Sequence, residues 1–191
     1  MNCRYSISIA VILLGLGHAL AQGHSNDAQI VKDFEARVAS YVDLEQKQAG
    51  SPKSTDSPSR LAEQRDQLAE KMRSARAEAK QGDIFTPEIS QYFRRQIAAT
   101  LSGPQGAKIR ASLRHAEPIQ QIPLQVNAKY PQKTPLQSTP PTLLLNLPRL
   151  PDKLQYRIVG NALLLYDPGA DLIVDWVGGV TKLTTDPAGR D

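Results

Sequence analysis

Apolar residues recur with helical spacing in the first half of the chain. Between Asp27 and Gln48 they fall three and four positions apart, which gathers them on one stripe and predicts a helix: Ile30, Val31, Phe34, Val38, Tyr41 and Val42. Asn26 or Asp27 can cap this helix, because a side-chain oxygen there accepts an orphan backbone N–H. Gly50 and Pro52 are predicted to end it.

Two further helices are each predicted to begin at a proline that follows a hydroxyl residue. Ser57-Pro58 opens a helix that runs to about Gln81, with a thin apolar stripe of Leu61, Leu68, Met72, Ala75 and Ala79. We expect this helix to form an antiparallel hairpin with the first one. Thr86-Pro87 opens the third helix, and a short fourth helix is predicted over residues 105–114.

The third helix carries the strongest apolar stripe of the chain. Its apolar residues recur at strict four-residue spacing: Ile89, Phe93, Ile97 and Leu101. This spacing places them on one face, which we expect at the centre of the core. Arg94 and Arg95 project from the opposite side. The helical region as a whole is predicted over residues 27–117.

Residues 118–154 form a proline-rich arm. They hold eight of the chain's fourteen prolines, and each proline fixes φ, removes a backbone donor and restricts the residue before it. No long helix or central strand is therefore expected here. Leucine is too frequent for a disordered linker. We expect an extended arm that packs on the helices, with one helical turn starting at Thr139-Pro140.

Residues 155–177 have the pattern of a β-meander. Gly160-Asn161 suits a two-residue hairpin turn, and the segment 167–171 is a second turn. Pairing Val159 with Ala162, and Asp167 with Leu172, predicts a core face of Tyr156, Ile158, Leu163, Leu165, Val174 and Trp176. The opposite face then carries Arg157, Leu164, Tyr166 and Asp175. Helices covering the core face give an α+β fold, and residues 178–191 are expected to be a frayed tail.

Residues 1–21 have the pattern of a cleaved secretory signal peptide. An apolar run from Ile7 to Leu16 follows a short basic start, and Ala19-x-Ala21 matches a signal-peptidase site. The run is shorter than the roughly 20 residues that span a bilayer; an uncleaved N-terminal anchor is the alternative. Cleavage after Ala21 would place the protein in the periplasm or outside the cell. It would also remove Cys3, the only cysteine, and with it any thiol or disulfide chemistry.

Charge is unevenly distributed along the chain. Between Ile89 and Leu165, ten basic residues are opposed only by Glu117 and Asp152. This stretch favours an anionic envelope partner, namely anionic lipid, a cell-wall polymer or an acidic protein face. The alternative is a solvated face that keeps the protein soluble, and nucleic acid is set aside because an exported protein rarely meets it. The candidate anion-contacting residues are Arg94, Arg95, Lys108, Arg110 and Arg114.

Sequence motifs for catalysis, cofactors or metals are absent from the chain. It contains no phosphate-binding glycine loop, nucleophile elbow or paired zinc ligands. A hydrolase acting through carboxylates such as Glu88, Asp167 or Asp175 is an alternative, because carboxylate pairs leave no motif. Asp167, Asp171 and Asp175 could also hold calcium, against the alternative that these side chains serve turn formation. We therefore predict no cofactor and no metal.

Several segments of the C-terminal half resemble a group of uncharacterised exported bacterial proteins: Val126–Pro131, Thr139–Leu144, Leu147–Pro151, Leu154–Asp167 and Leu172–Asp175. The resemblance implies a periplasmic protein of unknown activity and brings no catalytic residue. The hairpin alone also resembles the end of small periplasmic nickel/cobalt efflux regulators, although this chain lacks a histidine-rich tract. We expect a non-enzymatic binding or accessory protein, with a carboxylate hydrolase or a metal-stress accessory protein as alternatives.

Overall fold

Five helices and one three-stranded sheet make up the described part of the chain. The structure is a computed structural model that describes residues 17–51, 54–115, 124–130 and 139–181, without the side chains of 17–25 and 114–115. The elements are α1 (Gly17–Ala49), α2 (Pro58–Ala75), α3 (Pro87–Ser102), α4 (Gly106–His115), α5 (Pro141–Leu144), β1 (Gln155–Val159), β2 (Ala162–Asp167) and β3 (Leu172–Val177). The strands form an antiparallel sheet in the order β1-β2-β3. The predicted α+β class is confirmed.

Helix α1 begins earlier than predicted. It starts at Gly17, and so a cap at Asn26 or Asp27 is wrong. The preceding residues include alanine, leucine and glutamine, which are good helix formers and extend the helix upstream. The predicted end is confirmed, because Gly50 follows Ala49 with φ +60, a left-handed conformation that glycine adopts without strain.

Helices α1 and α2 pack as the predicted antiparallel hairpin. Later residues of α1 contact earlier residues of the α2 region, as an antiparallel arrangement requires. The contacting pairs are Gln48 with Lys71, Tyr41 with Arg76, and Arg37 with Asp83. Helix α2 ends at Ala75 rather than near Gln81. The chain turns there because the Arg76 side chain reaches the sheet and the following loop is held by a buried carboxylate. Of the predicted stripe, Met72 is buried whereas Leu61 is 47% exposed.

Helix α3 forms the centre of the core, as its apolar stripe predicted. Thr86 Oγ1 accepts a hydrogen bond from the Ile89 N–H, which confirms the predicted start. All members of the predicted stripe are at most 1% exposed: Ile89, Phe93, Ile97 and Leu101. The Phe93 ring lies 4.9 Å from that of Phe34 and 5.1 Å from that of Phe85, centroid to centroid, so α1, α3 and the loop before α3 meet at this ring.

The sheet contains a bulge that reverses two of the predicted side-chain directions. Val159 pairs with Ala162 and Asp167 with Leu172, as predicted, but the register shifts between Leu165 and Tyr166. Val174 becomes the extra residue, and Leu165 then lies opposite Asp175. Asp175 therefore points toward the helices, where it is 0% exposed, and Trp176 packs against the cluster on the other face. The predicted faces of Asp175 and Trp176 are wrong.

The proline-rich arm packs on two different surfaces. Leu143 and Leu147 join the helical core, and α5 provides the single helical turn expected near Thr139. Residues 124–130 instead lie on the outer side of the sheet. Their backbone bonds to the edge of β3, where Lys129 forms an isolated bridge with Leu172. The expectation that the whole arm covers the helices is therefore corrected for this part.

The predicted fraying after β3 does not begin at residue 178. Val180 is only 4% exposed, and its backbone N–H donates to the Asn161 carbonyl at 2.9 Å. This bond ties the chain to the first hairpin turn through residue 181. The remainder of the predicted tail, 182–191, and the predicted signal segment before residue 17 lie outside the described residues.

Candidate functional site

A buried carboxylate fixes the loop between α2 and α3. The Asp175 oxygens accept hydrogen bonds from the backbone N–H groups of Gly82, Ile84 and Phe85 at 2.8–3.0 Å, and from that of Trp176 at 2.8 Å. Backbone amides that converge on an anion compensate the desolvation of its charge. Both oxygens of this carboxylate therefore accept hydrogen bonds from the protein's own backbone.

A second buried carboxylate joins α1 to the turn after β2. Asp167 Oδ1 accepts from the N–H groups of Gly169 and Ala170 at 2.8 and 3.1 Å, which confirms turn chemistry as the role of this side chain. The Tyr41 hydroxyl donates to Asp167 Oδ2 at 2.7 Å. Burial, reinforced by this carboxylate, raises the pKa of Tyr41 far above its usual range.

Arg76 lies between the two buried carboxylates and was not identified from the sequence. Its guanidinium sits 4.9 Å from the Tyr41 ring centroid and donates to Asn127 Oδ1 at 2.8 Å and to the Val174 carbonyl at 3.2 Å. Burial lowers the pKa of Arg76, an effect that Tyr41 and Asp175 oppose. The residue therefore connects α2, the arm and β3.

The carboxylates considered for hydrolysis do not converge on one cavity. Asp167 and Asp175 are saturated by separate backbone segments, and Glu88 is exposed in the first turn of α3. Asp171 accepts a hydrogen bond from the Tyr166 hydroxyl at 2.7 Å. Within the described ranges, no group of three or more His, Cys, Asp or Glu side chains is placed to hold a metal. This arrangement gives no support to carboxylate hydrolysis or to a calcium site.

The predicted anion-contacting residues are partly engaged within the fold. Arg95 pairs with Asp27 at 2.6 Å, and Arg110 donates to the Leu101 carbonyl at the end of α3, where a positive charge is favourable. Arg94 Nε donates to the Gly178 carbonyl at 2.9 Å but its side chain is otherwise exposed. Lys108 is exposed on α4. The Arg114 side chain lies outside the described residues.

A groove of about 750 Å³ lies between α2, the end of α1 and the turn after β2. Polar residues recur along α2 at spacings of four, three and four, so that they line one face of the helix: Arg60, Gln64, Gln67 and Lys71. None of them was predicted as a site residue. The sequence gives no specific signal for them, because polar residues occupy most positions of α2 and residues on any one face of a helix recur at this spacing.

An ion pair forms one wall of this groove. Glu45, only 4% exposed, accepts from Lys153 Nζ at 2.5 Å. Gly169 lies against the same carboxylate: a Cβ on Gly169 would be 3.7 Å from Glu45 Oε1 and 3.1 Å from Asp167 Oδ1. A side chain here would crowd the Asp167 carboxylate, whereas its distance to Glu45 would be an ordinary contact.

We expect the protein to lose stability as the pH rises above about 10, the ordinary pKa of tyrosine. The pKa values of Tyr41, Tyr156 and Tyr166 are all raised, mainly by burial. Above pH 10 the unfolded chain releases these protons while the folded chain retains them, and so the free energy of unfolding falls with pH. Urea midpoints between pH 8 and 11 measure this; Tyr41→Phe should flatten the dependence, and an unchanged slope would contradict the role of its hydroxyl.

Comparison of the chain with protein-family models, with curated proteins and with solved structures found no match. The resemblance to exported bacterial proteins therefore stays a prediction. Among the helices that the structure describes, none has the length and apolar character needed to cross a bilayer.

Proposed function

We propose that this protein is a non-enzymatic binding protein of the periplasm or extracellular space, and that its α1–α2 groove holds an anionic cell-wall polymer. The observation that carries the proposal is the excess of positive charge in the groove. Its acidic side chains are Glu45 and Glu63, and its basic side chains are Arg60, Arg65, Lys71 and Lys153. The signal-peptide pattern of residues 1–21 supports the location.

The positive charge is available to a ligand. Glu45 is neutralised by Lys153, which leaves Glu63 as the only acid opposing the arginines of the groove. Within the described part of the chain, Arg60 and Arg65 form no ion pair, and Lys71 donates only to the Gln48 carbonyl at 3.2 Å. Unpaired guanidinium groups bind phosphate and carboxylate oxygens with two parallel hydrogen bonds.

The shape of the groove favours a chain over a flat lipid surface. Arg60 and Lys71 are separated by about 16 Å along the helix axis at the usual rise per residue, which spaces the cations for a ligand with repeated charges. Amide and hydroxyl side chains lie between and opposite them, from Gln64, Gln67, Ser54 and Thr55. Such groups bond sugar or phosphodiester oxygens, whereas a bilayer would not reach into a concave surface.

The test compares a groove variant with a charge-matched control. We expect Arg60→Gln/Lys71→Gln to weaken binding to poly(glycerol phosphate) by about tenfold or more, because two charge-assisted contacts are lost. Isothermal titration at two salt concentrations measures affinity, and binding should weaken with salt. The control, Lys32→Gln/Lys108→Gln, removes the same charge from exposed positions on α1 and α4. Its binding should be close to that of the unaltered chain.

Three outcomes would overturn the proposal. Equal losses in both variants would show that net charge, or the basic stretch at Lys108, and not the groove, drives association. Retention on phosphatidylglycerol vesicles without binding to the polymer would assign a lipid partner instead. Absence of salt-dependent binding to either would remove the electrostatic basis. Protein recovered from the producing cells should begin at Gln22 by intact mass, and retention of Met1 would contradict the export part.

A further inference from the structure

Two adjacent leucines are exposed at the end of the short helix α5. Leu144 is 39% and Leu145 is 82% exposed, and Leu61 on α2 is the only other exposed large apolar side chain among the described residues. Pro141 lies three and four positions before them, on the same side of the turn, and is exposed as well. A leucine exposed singly needs no explanation. Three apolar residues side by side form a small surface, which we call the α5 patch.

The opposite side of this turn anchors the α5 patch to the core. Leu143 and Leu147, four positions apart, are 0% and 6% exposed and pack in the helical core. Between them in sequence, Asn146 Nδ2 donates to Thr100 Oγ1 in the last turn of α3 at 2.9 Å. The turn is therefore fixed on both sides, and the fold itself holds the two exposed leucines outward.

Positive charge surrounds the α5 patch. Arg149 follows Leu145 by four positions, a separation of at most about 14 Å, and its exposed side chain forms no ion pair among the described residues. Arg110 donates to the Leu101 carbonyl, next to the α3 hydroxyl that holds the turn. The described residues between 89 and 151 include no Asp or Glu, and the first acid beyond them is Asp152.

A bilayer surface suits this arrangement better than a protein partner does. A stable protein interface buries about 800 Å² on each partner, which is far more than three small apolar side chains offer. Leu145 could not be 82% exposed in a concave site, so the patch provides no pocket for a partner's side chain. A leucine that stands clear of its neighbours can enter the acyl boundary of a bilayer, where nearby cations meet the phosphates of anionic lipids.

We infer that the α5 patch attaches the protein to a bilayer that contains anionic phospholipid. Leu144 and Leu145 enter the bilayer interface, and the Arg149 guanidinium contacts lipid phosphate. The attachment is weak and reversible, because only two large side chains are inserted. The patch shares no residue with the lining of the α1–α2 groove and does not rest on the function proposed for that groove.

Co-sedimentation with vesicles of phosphatidylglycerol and phosphatidylcholine tests this inference in the chain that begins at Gln22. We expect Leu144→Ser/Leu145→Ser to lower the partition coefficient by about tenfold or more, because two apolar side chains no longer leave water. Arg149→Gln should lower it by about fivefold. Vesicles of phosphatidylcholine alone should bind less protein than the mixed vesicles. Melting temperatures establish that each variant remains folded.

Leu61→Ser and Lys32→Gln are the matched controls, because they remove an exposed leucine from α2 and an exposed cation from α1. Neither should change the partition coefficient. Arg60→Gln/Lys71→Gln, in the groove, should keep its vesicle binding, and the double leucine variant should keep its binding to poly(glycerol phosphate). Failure of the groove proposal and failure of this inference are therefore distinguishable.

Other results would overturn the inference. If the unaltered chain does not sediment with the mixed vesicles, or if the double leucine variant binds equally well, the α5 patch meets no lipid. Equal weakening by Leu61→Ser would mean that the position of the leucines is irrelevant. Equal binding to pure phosphatidylcholine, or full binding by Arg149→Gln, would remove the anionic lipid. A dimer that dissociates in the double leucine variant, without vesicle binding, would assign the patch to a second copy of the chain.

Discussion

Replacing Asp175 with Asn should lower the free energy of unfolding by about 3–5 kcal/mol. The side chain is 0% exposed and accepts from four backbone N–H groups. An Asn amide has the same shape, but it removes the charge and turns an NH₂ group toward backbone donors. Urea unfolding followed by circular dichroism measures the loss.

A matched control tests whether the loss of stability is specific to the buried carboxylate. Asp152→Asn makes the same chemical change at an exposed position that has no ion pair among the described residues, and it should shift stability by no more than about 0.5 kcal/mol. Amide hydrogen exchange should also accelerate at Gly82, Ile84 and Phe85 in the Asp175 variant. Equal midpoints for both variants would show that the buried carboxylate does not hold the loop.

Phe93→Ala should destabilise the protein by about 3–5 kcal/mol, because it removes a ring from a core that cannot collapse around the space. Phe93 is 0% exposed, and its ring packs against those of Phe34, Phe85 and Tyr156. The loss would therefore loosen α1, the α2–α3 loop and β1 together. The measurement is again the urea midpoint and its slope.

Leu145→Ala provides the control for Phe93. Leu145 is also apolar but is 82% exposed, so truncating it should change the free energy of unfolding by less than about 0.5 kcal/mol. A small effect at Phe93, comparable with that at Leu145, would place the centre of the core elsewhere. A larger apolar replacement offers a second check: Phe93→Leu should retain a large part of the stability that Phe93→Ala loses.

Helices and strands could be predicted from the sequence wherever local pattern decides them. Residues close in sequence determine three such features: the apolar stripe from Ile89 to Leu101, the start of α3 at its proline, and the turn at Gly160-Asn161. The side of the sheet taken by Asp175 could not be predicted in this way. Hydropathy places a carboxylate outside, and the donors that reverse this preference come from residues 90 or more positions away.

The candidate site was less predictable than the fold. Ten basic residues between 89 and 165 favoured an anionic partner, but charge along a chain does not show which cations find partners in space. Arg95 is paired with Asp27, 68 positions away, and Arg110 donates a hydrogen bond to the Leu101 carbonyl at the end of α3. Conversely, Lys153 and Gly169 line the groove beside α2 although they lie far from α2 along the chain. Only the tertiary fold brings these residues together.

The contacts that close the core join the two ends of the chain. Tyr41 bonds Asp167 across 126 positions, and Glu45 bonds Lys153 across 108. A polypeptide that leaves a secretion pore N-terminus first must therefore hold α1 without its partners until nearly all of the chain has emerged. Contacts of such long range form slowly. Under the export proposed above, this delay would keep the chain in the loose state that translocation requires, so that folding would take place on the far side of the membrane.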